Sequence, residues 1–498
     1  MRKLTTLLDA IRPQALEGPR PESVSALTDD SRAVEAGGMF VAVRGTAVDG
    51  HRYIVGAIER GASVVVCEEI PADIDECLRQ KVLWVVVGNT ARALGLLASR
   101  WWGDPSRALT LVGVTGTNGK TTIATLLYRL AGAMGEKAGL LSTVENRIGD
   151  ERIAATHTTP GPLELQALLA RMVEAGCSFC AMEVSSHAAA QHRIAGLDFS
   201  GGIFTNLTRD HLDYHRTFKA YLEAKKSFFD MLSNRAWALT NLDDANGPVM
   251  VQNTSARPTA TYSLRTDADF RVQVVENCIE GMLLSFNGTE VETMFVGRFN
   301  ASNLAAVYGA GVLLGYEPAE VLRAISALTP VAGRFQPFRS PEGITAIVDY
   351  AHTPDALENV LTTVAEVMGG RGRIITVCGC GGDRDKGKRP QMAATAAHHS
   401  SLVILTSDNP RSEDPRAIVE DMLAGLTDPC ERGKVLVNLD RREAIRTAVA
   451  MAKPGDLVVV AGKGHETSQI IGGETRHFDD REEVAEALGL RPGGKEQH

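Results

Sequence analysis

Positive charge is in deficit. The chain of 498 residues carries 52 Lys and Arg against 61 Asp and Glu, for a formal net charge of −9. A general affinity for nucleic acid is therefore not expected, although a local basic loop can still serve an anionic substrate. Apolar runs long enough to cross a membrane are lacking as well. The opening MRKLTTLLDAIRP places Asp9 and Arg12 inside its apolar stretch, against a secretory leader. Metal-type cysteine spacing is missing: of eight cysteines, Cys177 and Cys180 form a C-x-x-C with no second copy, and Cys378 and Cys380 form a C-x-C. Buried free thiols are expected at these positions. His211 and His215 are four apart, but Leu212 stands where a zincin helix carries Glu, which argues against a zinc protease. Internal repeats and low-complexity tracts are also lacking. The lack of a targeting segment and the scattered cysteines suggest the cytosol, and a monomer is expected.

What is present is a long α/β pattern. Length alone favours roughly three domains. Residues 1–107 hold β-like runs at Met39 to Val43, Ala62 to Cys67 and Val82 to Val87, closed by a linker-like Trp101-Trp102-Gly103-Asp104-Pro105. Residues 108–337 alternate strands (Phe179 to Val184, Gly202 to Asn206, Ala236 to Thr240) with helices (Leu163 to Ala175, Phe218 to Leu232). Residues 338–498 do the same with Ile374 to Cys378, Leu402 to Thr406 and Leu457 to Val460. The expected fold is α/β in three domains. The centre is a P-loop-type, doubly wound, mostly parallel sheet, preceded by an N-terminal α/β domain and followed by a C-terminal Rossmann-like one.

The sharpest local signal is TGTNGKTT, Thr115 to Thr122. It follows an apolar strand pattern and opens a helical one. Such a turn aims backbone N–H groups at one point beside a helix N-terminus, which suits a polyphosphate. Lys120 is placed to reach the terminal phosphates and Thr121 to offer a hydroxyl to Mg²⁺. The strict P-loop pattern wants Gly where Val114 stands. Glu183 closes the next strand pattern, well placed for Mg²⁺. His211 and Asp213 follow another strand and offer ligands for a second metal. Lys225, in a helical Glu-Ala-Lys-Lys stretch, reads alone as a solvated lysine. In the third block Cys378 to Pro390 form a basic, glycine-rich loop whose Arg384 breaks the dinucleotide fingerprint. Arg411, in Asp408-Asn409-Pro410-Arg411, is a natural bidentate partner for a carboxylate, although Asp-Asn-Pro alone reads as a turn.

TGTNGKTT, AMEVSSHAAAQHR, FTNLTRDHLDYH, YLEAKK, DYAHTPDAL, GCGGDRDKGKRP, DNPR and AGKGHE occur in this order. Together they resemble the Mur ligases of bacterial cell-wall synthesis, and the resemblance spans essentially the whole chain. It implies a uridine-nucleotide domain, an ATP domain and an amino-acid domain. It further implies that ATP and Mg²⁺ phosphorylate a D-Glu carboxylate of a UDP-muramoyl-dipeptide. The amine of meso-diaminopimelate then displaces phosphate from that acyl phosphate.

Residue by residue, the resemblance implies that Gly116, Thr117, Asn118, Gly119, Lys120, Thr121, Thr122, Asn303, Arg334, Asp349 and His352 bind ATP. Thr121, Glu183, His211 and Lys225 serve the metal, Lys225 as a CO₂-derived carbamate, with Lys120, His211 and Lys225 catalytic. Ser31, Asp49, Gly50, His51, Thr158, Thr159, Ser185, Gln191 and Arg193 hold the UDP-muramoyl-dipeptide. Arg389, Asp408, Asn409, Pro410, Arg411, Gly462 and Glu466 hold diaminopimelate. There Arg411 neutralises the second carboxylate, and Glu466 or Asp408 takes the ammonium. A sister lysine-adding or folate-type ligase and a non-catalytic nucleotide-gated protein are the alternatives. The N-terminal block disfavours a folate ligase, and intact Lys120, Glu183, His211 and Lys225 disfavour the non-catalytic protein.

Overall fold

A computed structural model describes residues 1–45, 48–155 and 157–490, without the side chain of Asp213. The expected metal role of Asp213 and the final stretch 491–498 lie outside the described residues. Three main sheets occur in sequence order, besides two small two-stranded ones. The first has the spatial order Ala15–Glu17, Leu83–Val86, Val64–Cys67, Met39–Val41, Leu27–Thr28, parallel except for its first strand.

The second sheet has eleven strands. Its middle is parallel in the order Ala138–Leu141, Phe179–Glu183, Thr110–Thr115, Gly201–Phe204, Trp237–Asn241, Thr259–Ser263. Strands such as Phe179–Glu183 are buried along their whole length, as strands covered on both faces must be. Helices Lys120–Ala133, Arg298–Leu313 and Pro318–Ala327 cover one face, and Pro162–Glu174 and Phe218–Asp230 the other. Antiparallel strands extend both edges: Glu145–Ile148 with Glu151–Ala154, and Phe270–Cys278 with Gly281–Phe286 and Thr289–Thr293.

The third sheet runs Gln336–Arg339, Thr345–Asp349, Leu457–Ala461, Ile374–Cys378, Leu402–Leu405, Val435–Val437, parallel after its first strand. Helices Pro354–Met368, Lys388–His399 and Pro415–Leu423 pack on one face, and Arg441–Met451 and Asp480–Ala487 on the other. Asp479 caps the last of these helices, its side chain accepting from the Arg481 N–H. The buried pair Arg441–Asp480 joins the two helices of the second face: Nε and Nη2 of Arg441 each donate to the carboxylate at 2.7 Å. Cys177, Cys180, Cys378 and Cys380 are buried free thiols. Among the described residues, no helix is long and apolar enough to cross a membrane.

Candidate active site

The phosphate loop begins where the strand Thr110–Thr115 ends. Val114, the departure from the strict motif, lies inside that strand, paired with Glu183 and Ile203 and fully buried. The tight turn starts at Gly116, φ +151°, where a Cβ would come within 1.8 Å of Thr205 Oγ1. Gly119, φ +88°, ends it, and a Cβ there would meet Asn303 Oδ1 at 2.5 Å. Both positions therefore require glycine. Lys120 opens the helix and folds back over the loop, its Nζ donating to the carbonyls of Gly116 (2.9 Å) and Thr117 (2.8 Å). Burial lowers its proton affinity, with Glu183 and Asp210 opposing.

Lys225 is the least expected member. It is 1% exposed, not solvated. Its Nζ donates to Gly116 O at 2.7 Å and sits 4.6 Å from the centre of the Tyr221 ring. Burial, then the neighbouring Lys120, pushes its proton affinity well below that of an ordinary lysine. The result is an amine biased toward its neutral, nucleophilic form.

Glu183, 1% exposed, accepts from the backbone N–H (2.7 Å) and hydroxyl (3.0 Å) of Thr143 through Oε1. His211 has a left-handed backbone, φ +52°, and its Nε2 lies 3.4 Å from Asp210 Oδ2. Desolvation lowers its pKa to about 4 against the opposing Asp210, with Lys120 and Lys225 adding to the drop. Its imidazole is thus neutral at pH 7 and keeps a lone pair for a metal or a proton. No group of three or more His, Cys, Asp or Glu close enough to cage a metal occurs among the described residues. One buried carboxylate, the Thr121 hydroxyl and room for phosphate oxygens suit Mg²⁺, which keeps waters and substrate oxygens in its shell.

Two cavities meet here. One is lined by Thr117 to Thr122, Glu183, Asn303, Arg334 and Asp349. The other is lined by Thr159, Ser185, Arg193, Arg384, Asp408, Asn409, Arg411, Gly462 and Glu466. Thr143, Thr158, Asp210, His211, Tyr350 and His352 line both. Arg334 ties the third sheet's first loop to the phosphate loop, donating to Thr121 Oγ1 at 3.1 Å while stacking 4.4 Å over the Tyr350 ring. Asp349 accepts the N–H groups of Phe335 and Ala351, both at 2.7 Å. Burial raises the proton affinity of its carboxyl.

The sequence comparisons agree with this geometry. Three domain profiles match in order: Mur ligase family, catalytic domain, residues 23–102; Mur ligase middle domain, residues 114–311; and Mur ligase, glutamate ligase domain, residues 333–464. A UDP-N-acetylmuramoyl-L-alanyl-D-glutamate–2,6-diaminopimelate ligase of Parabacteroides distasonis is 58% identical over 484 residues, covering 97% of this chain and 98% of that protein. The chain belongs to the Mur ligase family. A protein of the same name from Geobacillus kaustophilus is 42% identical over 93% of this chain and 94% of its own. The solved structure of a ligase with that name is 34% identical with a TM-score of 0.68, covering 97% and 98% of the two chains. The ADP complex of a Thermotoga maritima MurF ligase shares the fold, at 18% identity and TM-score 0.57 over 93% of this chain and 97% of that one.

Within this Mur ligase, several expected residues stand elsewhere than on a cavity wall. Arg389 is fully buried. Its guanidinium grips Glu413 (2.8 and 2.9 Å), Asp421 (2.8 Å) and Gly381 O (3.2 Å), bracing the basic loop from behind. Arg389, expected at the amino-acid substrate, thus stands behind the loop that borders the cavity. Pro410 packs its carbonyl against Gly382, where a Cβ would lie 1.8 Å away. Gln191 accepts both Nε and Nη2 of Arg193 at 3.0 and 2.7 Å, fixing that arginine while Arg193 itself reaches the cavity. In the first domain Ser31 and Gly50 line a separate pocket with Asp29, Arg32, Tyr53 and Arg60. Asp49 and His51 do not line it. The His51 ring binds Asp49 Oδ1 (2.7 Å) through Nδ1 and accepts from the Glu68 N–H (2.9 Å) through Nε2, so both nitrogens serve the loop.

Glu466 also differs from expectation. It shares Oε2 with Lys463 (2.9 Å) and Asn409 (2.8 Å), so its charge is already paired. Asp408 borders the same cavity, and Gly462, φ +121°, makes room for its carboxylate, which would lie 2.6 Å from a Cβ there. Residues missed in the sequence include Asp210, Tyr350, Thr143 and Lys388. Asp210, Tyr350 and Lys388 lay inside motifs already singled out; Thr143 carried no local signal.

Proposed function

We propose that this chain joins 2,6-diaminopimelate to UDP-N-acetylmuramoyl-L-alanyl-D-glutamate with hydrolysis of ATP to ADP and phosphate. In this reading residues 1–107 take the uridine nucleotide, 108–337 take ATP and 338–498 take the amino acid. The enzyme works in the cytoplasm as a monomer. The observation that carries it is the shared wall at His211. A phosphoryl-donor cavity and an acceptor cavity abut there, as carboxylate activation followed by amide formation requires.

A carboxylate is a poor acyl donor at neutral pH because its oxygen leaves badly; phosphorylation makes it a good one. The phosphate-loop amides and Lys120 hold and align the transferred group, and electrostatic alignment of this kind supplies most of the barrier reduction in phosphoryl transfer. Mg²⁺ bound by Glu183 and Thr121 would neutralise phosphate charge. Lys225 suits carbamylation: its neutral amine adds to CO₂, one N–C bond forms and one proton leaves. The product is an anionic oxygen donor where a cation would repel the metal. Thr158, Thr159, Ser185 and Arg193 orient the D-Glu carboxylate. Arg411, with Nη1 on Gly382 O at 2.8 Å, faces the same cavity as the partner for the distal carboxylate of diaminopimelate. Asp408 takes the distal ammonium.

The acyl-phosphate route is tested with the D-Glu side-chain carboxylate labelled on both oxygens with ¹⁸O. One label is expected in the released phosphate and one in the amide. Phosphate without label contradicts the route.

A further inference from the structure

Resting on the reading above, we propose that Lys463 is a positioning residue for the incoming amino acid, acting through Asn409 and Glu466 and not by contact with substrate. Lys463 follows the strand Leu457–Ala461 and is 0% exposed, behind the wall to which Gly462 and Glu466 belong. Its Nζ donates to Glu466 Oε2 at 2.9 Å and to Asn409 Oδ1 at 3.2 Å. Asn409 closes the triangle: its Nδ2 donates to the same Glu466 Oε2 at 2.8 Å, and its Oδ1 also accepts the Ile470 N–H at 3.0 Å. The amide is thereby held in one orientation, since each of its ends meets only partners of the matching kind.

Lysine is almost never fully buried unless paired. Here the pair joins two chain segments that both reach the acceptor cavity, the loop of Asp408 to Arg411 and the loop of Gly462 to Glu466. The link is more than a strut. Glu466 keeps 30% of its side chain exposed. A glutamate at such an edge has several rotamers, and an unpaired second negative charge beside Asp408 would repel the distal carboxylate of the substrate. Lys463 removes both problems: it pins Oε2, leaves Oε1 to meet the ligand, and cancels the charge. Asp408 is steadied from the following strand, Ser468–Ile471, its carbonyl accepting from Gln469 Nε2 at 2.8 Å. Misplacement of such groups by about 1 Å can cost about 10²-fold.

The test is steady-state kinetics on the full-length enzyme, with the KM of each of the three substrates measured separately for Lys463→Met, Glu466→Gln and the double variant. Lys463→Met is expected to raise the KM for diaminopimelate at least about tenfold, as loss of a buried charge partner does. The KM values for ATP and the UDP-muramoyl-dipeptide are expected to stay within about twofold of wild type. Because the lysine acts through Asn409 and Glu466 together, the double variant is expected to fall well short of the product of the single effects. Equal rises in all three KM values, or single effects that multiply in the double variant, overturn the proposal. Should Lys463→Met not fold, Lys463→Gln keeps a shorter donor and is expected to raise the same KM alone; an unchanged KM in that folded variant overturns the proposal. A wild-type enzyme that ligates a different amino acid refutes the substrate reading instead, and the same variants then test the latch with that amino acid.

Discussion

Lys225 Nζ donates to the carbonyl of Gly116, 109 residues earlier, at 2.7 Å. One hydrogen bond thus seats a buried lysine directly on the turn that cradles phosphate. The same carbonyl accepts Lys120 Nζ at 2.9 Å, so two amines converge where one would be expected. Burial lowers the proton affinity of both amines, and Lys120 lowers that of Lys225 further. This pairing makes sense if Lys225 does not remain a cation during turnover.

Replacing Lys225 therefore has a signature. Lys225→Ala is expected to lower kcat by at least about a hundredfold, the scale for losing one electrostatic group at a reacting centre. Added short carboxylates are expected to restore part of it. Full activity without additive would remove Lys225 from the mechanism. Mass spectrometry of the native protein in bicarbonate checks the carbamate directly.

Lys120→Ala is expected to reduce kcat by about 10²–10³-fold while leaving the circular dichroism spectrum and the KM for the amino acid unchanged. Substrate-dependent ATP turnover at the wild-type rate would remove the phosphate loop from the chemistry.

Arg411 is held at φ +54°, and its N–H and C=O bridge to Ile470 (3.0 Å) and Gly472 (2.8 Å). Arg411→Ala is expected to raise the KM for diaminopimelate by about 30-fold or more, because a charged substrate group loses its partner. Arg411→Lys is expected to recover little, since a point charge cannot replace the planar fork. An unchanged KM in either variant would count against the anion clamp.

The stability of the third domain depends on Arg441, paired with Asp480 with neither side chain exposed. Arg441→Met is expected to cost about 3–5 kcal/mol by leaving a buried carboxylate uncompensated. The double variant Arg441→Met/Asp480→Leu is expected to regain most of it. Chemical denaturation measures both.

His211 gives a pH dependence with a fixed sign. Its folded pKa is lowered to about 4 from an ordinary 6.5, burial being the main cause. Between those values the unfolded chain binds more protons, so the histidine's contribution to stability is complete above pH 6.5. That contribution is lost as the pH falls toward 4. His211→Gln is expected to flatten this part of the stability–pH curve. An unaltered slope would contradict the shift.

Much of this was legible in the chain. The phosphate loop, Glu183 at its strand end and the alternation of strands with helices follow from local patterning, and the fold agrees. Lys225 was not legible on physical grounds alone, because a Lys-Lys pair on a helix reads as solvated. Only the packing of Phe218–Asp230 against the sheet turns that side chain inward. Arg389 misled for the opposite reason. It sits in a basic loop, yet Glu413 and Asp421, 24 and 32 residues later, claim its guanidinium. The antiparallel strands at 145–154 and 270–293 were also missed. Apart from Gly281–Phe286, their half-exposed, charge-bearing sequences lack the continuous apolar runs that mark the buried parallel strands.

The central claim is the identity of the nucleophile that the Arg411 cavity admits. An amino-acid panel in the ligation reaction, with ADP release and product mass read together, tests it most directly. The expected result is that meso-diaminopimelate gives a product heavier by one diaminopimelate residue at a far higher kcat/KM than lysine or ornithine. Lysine turned over as well as diaminopimelate, or better, would contradict it.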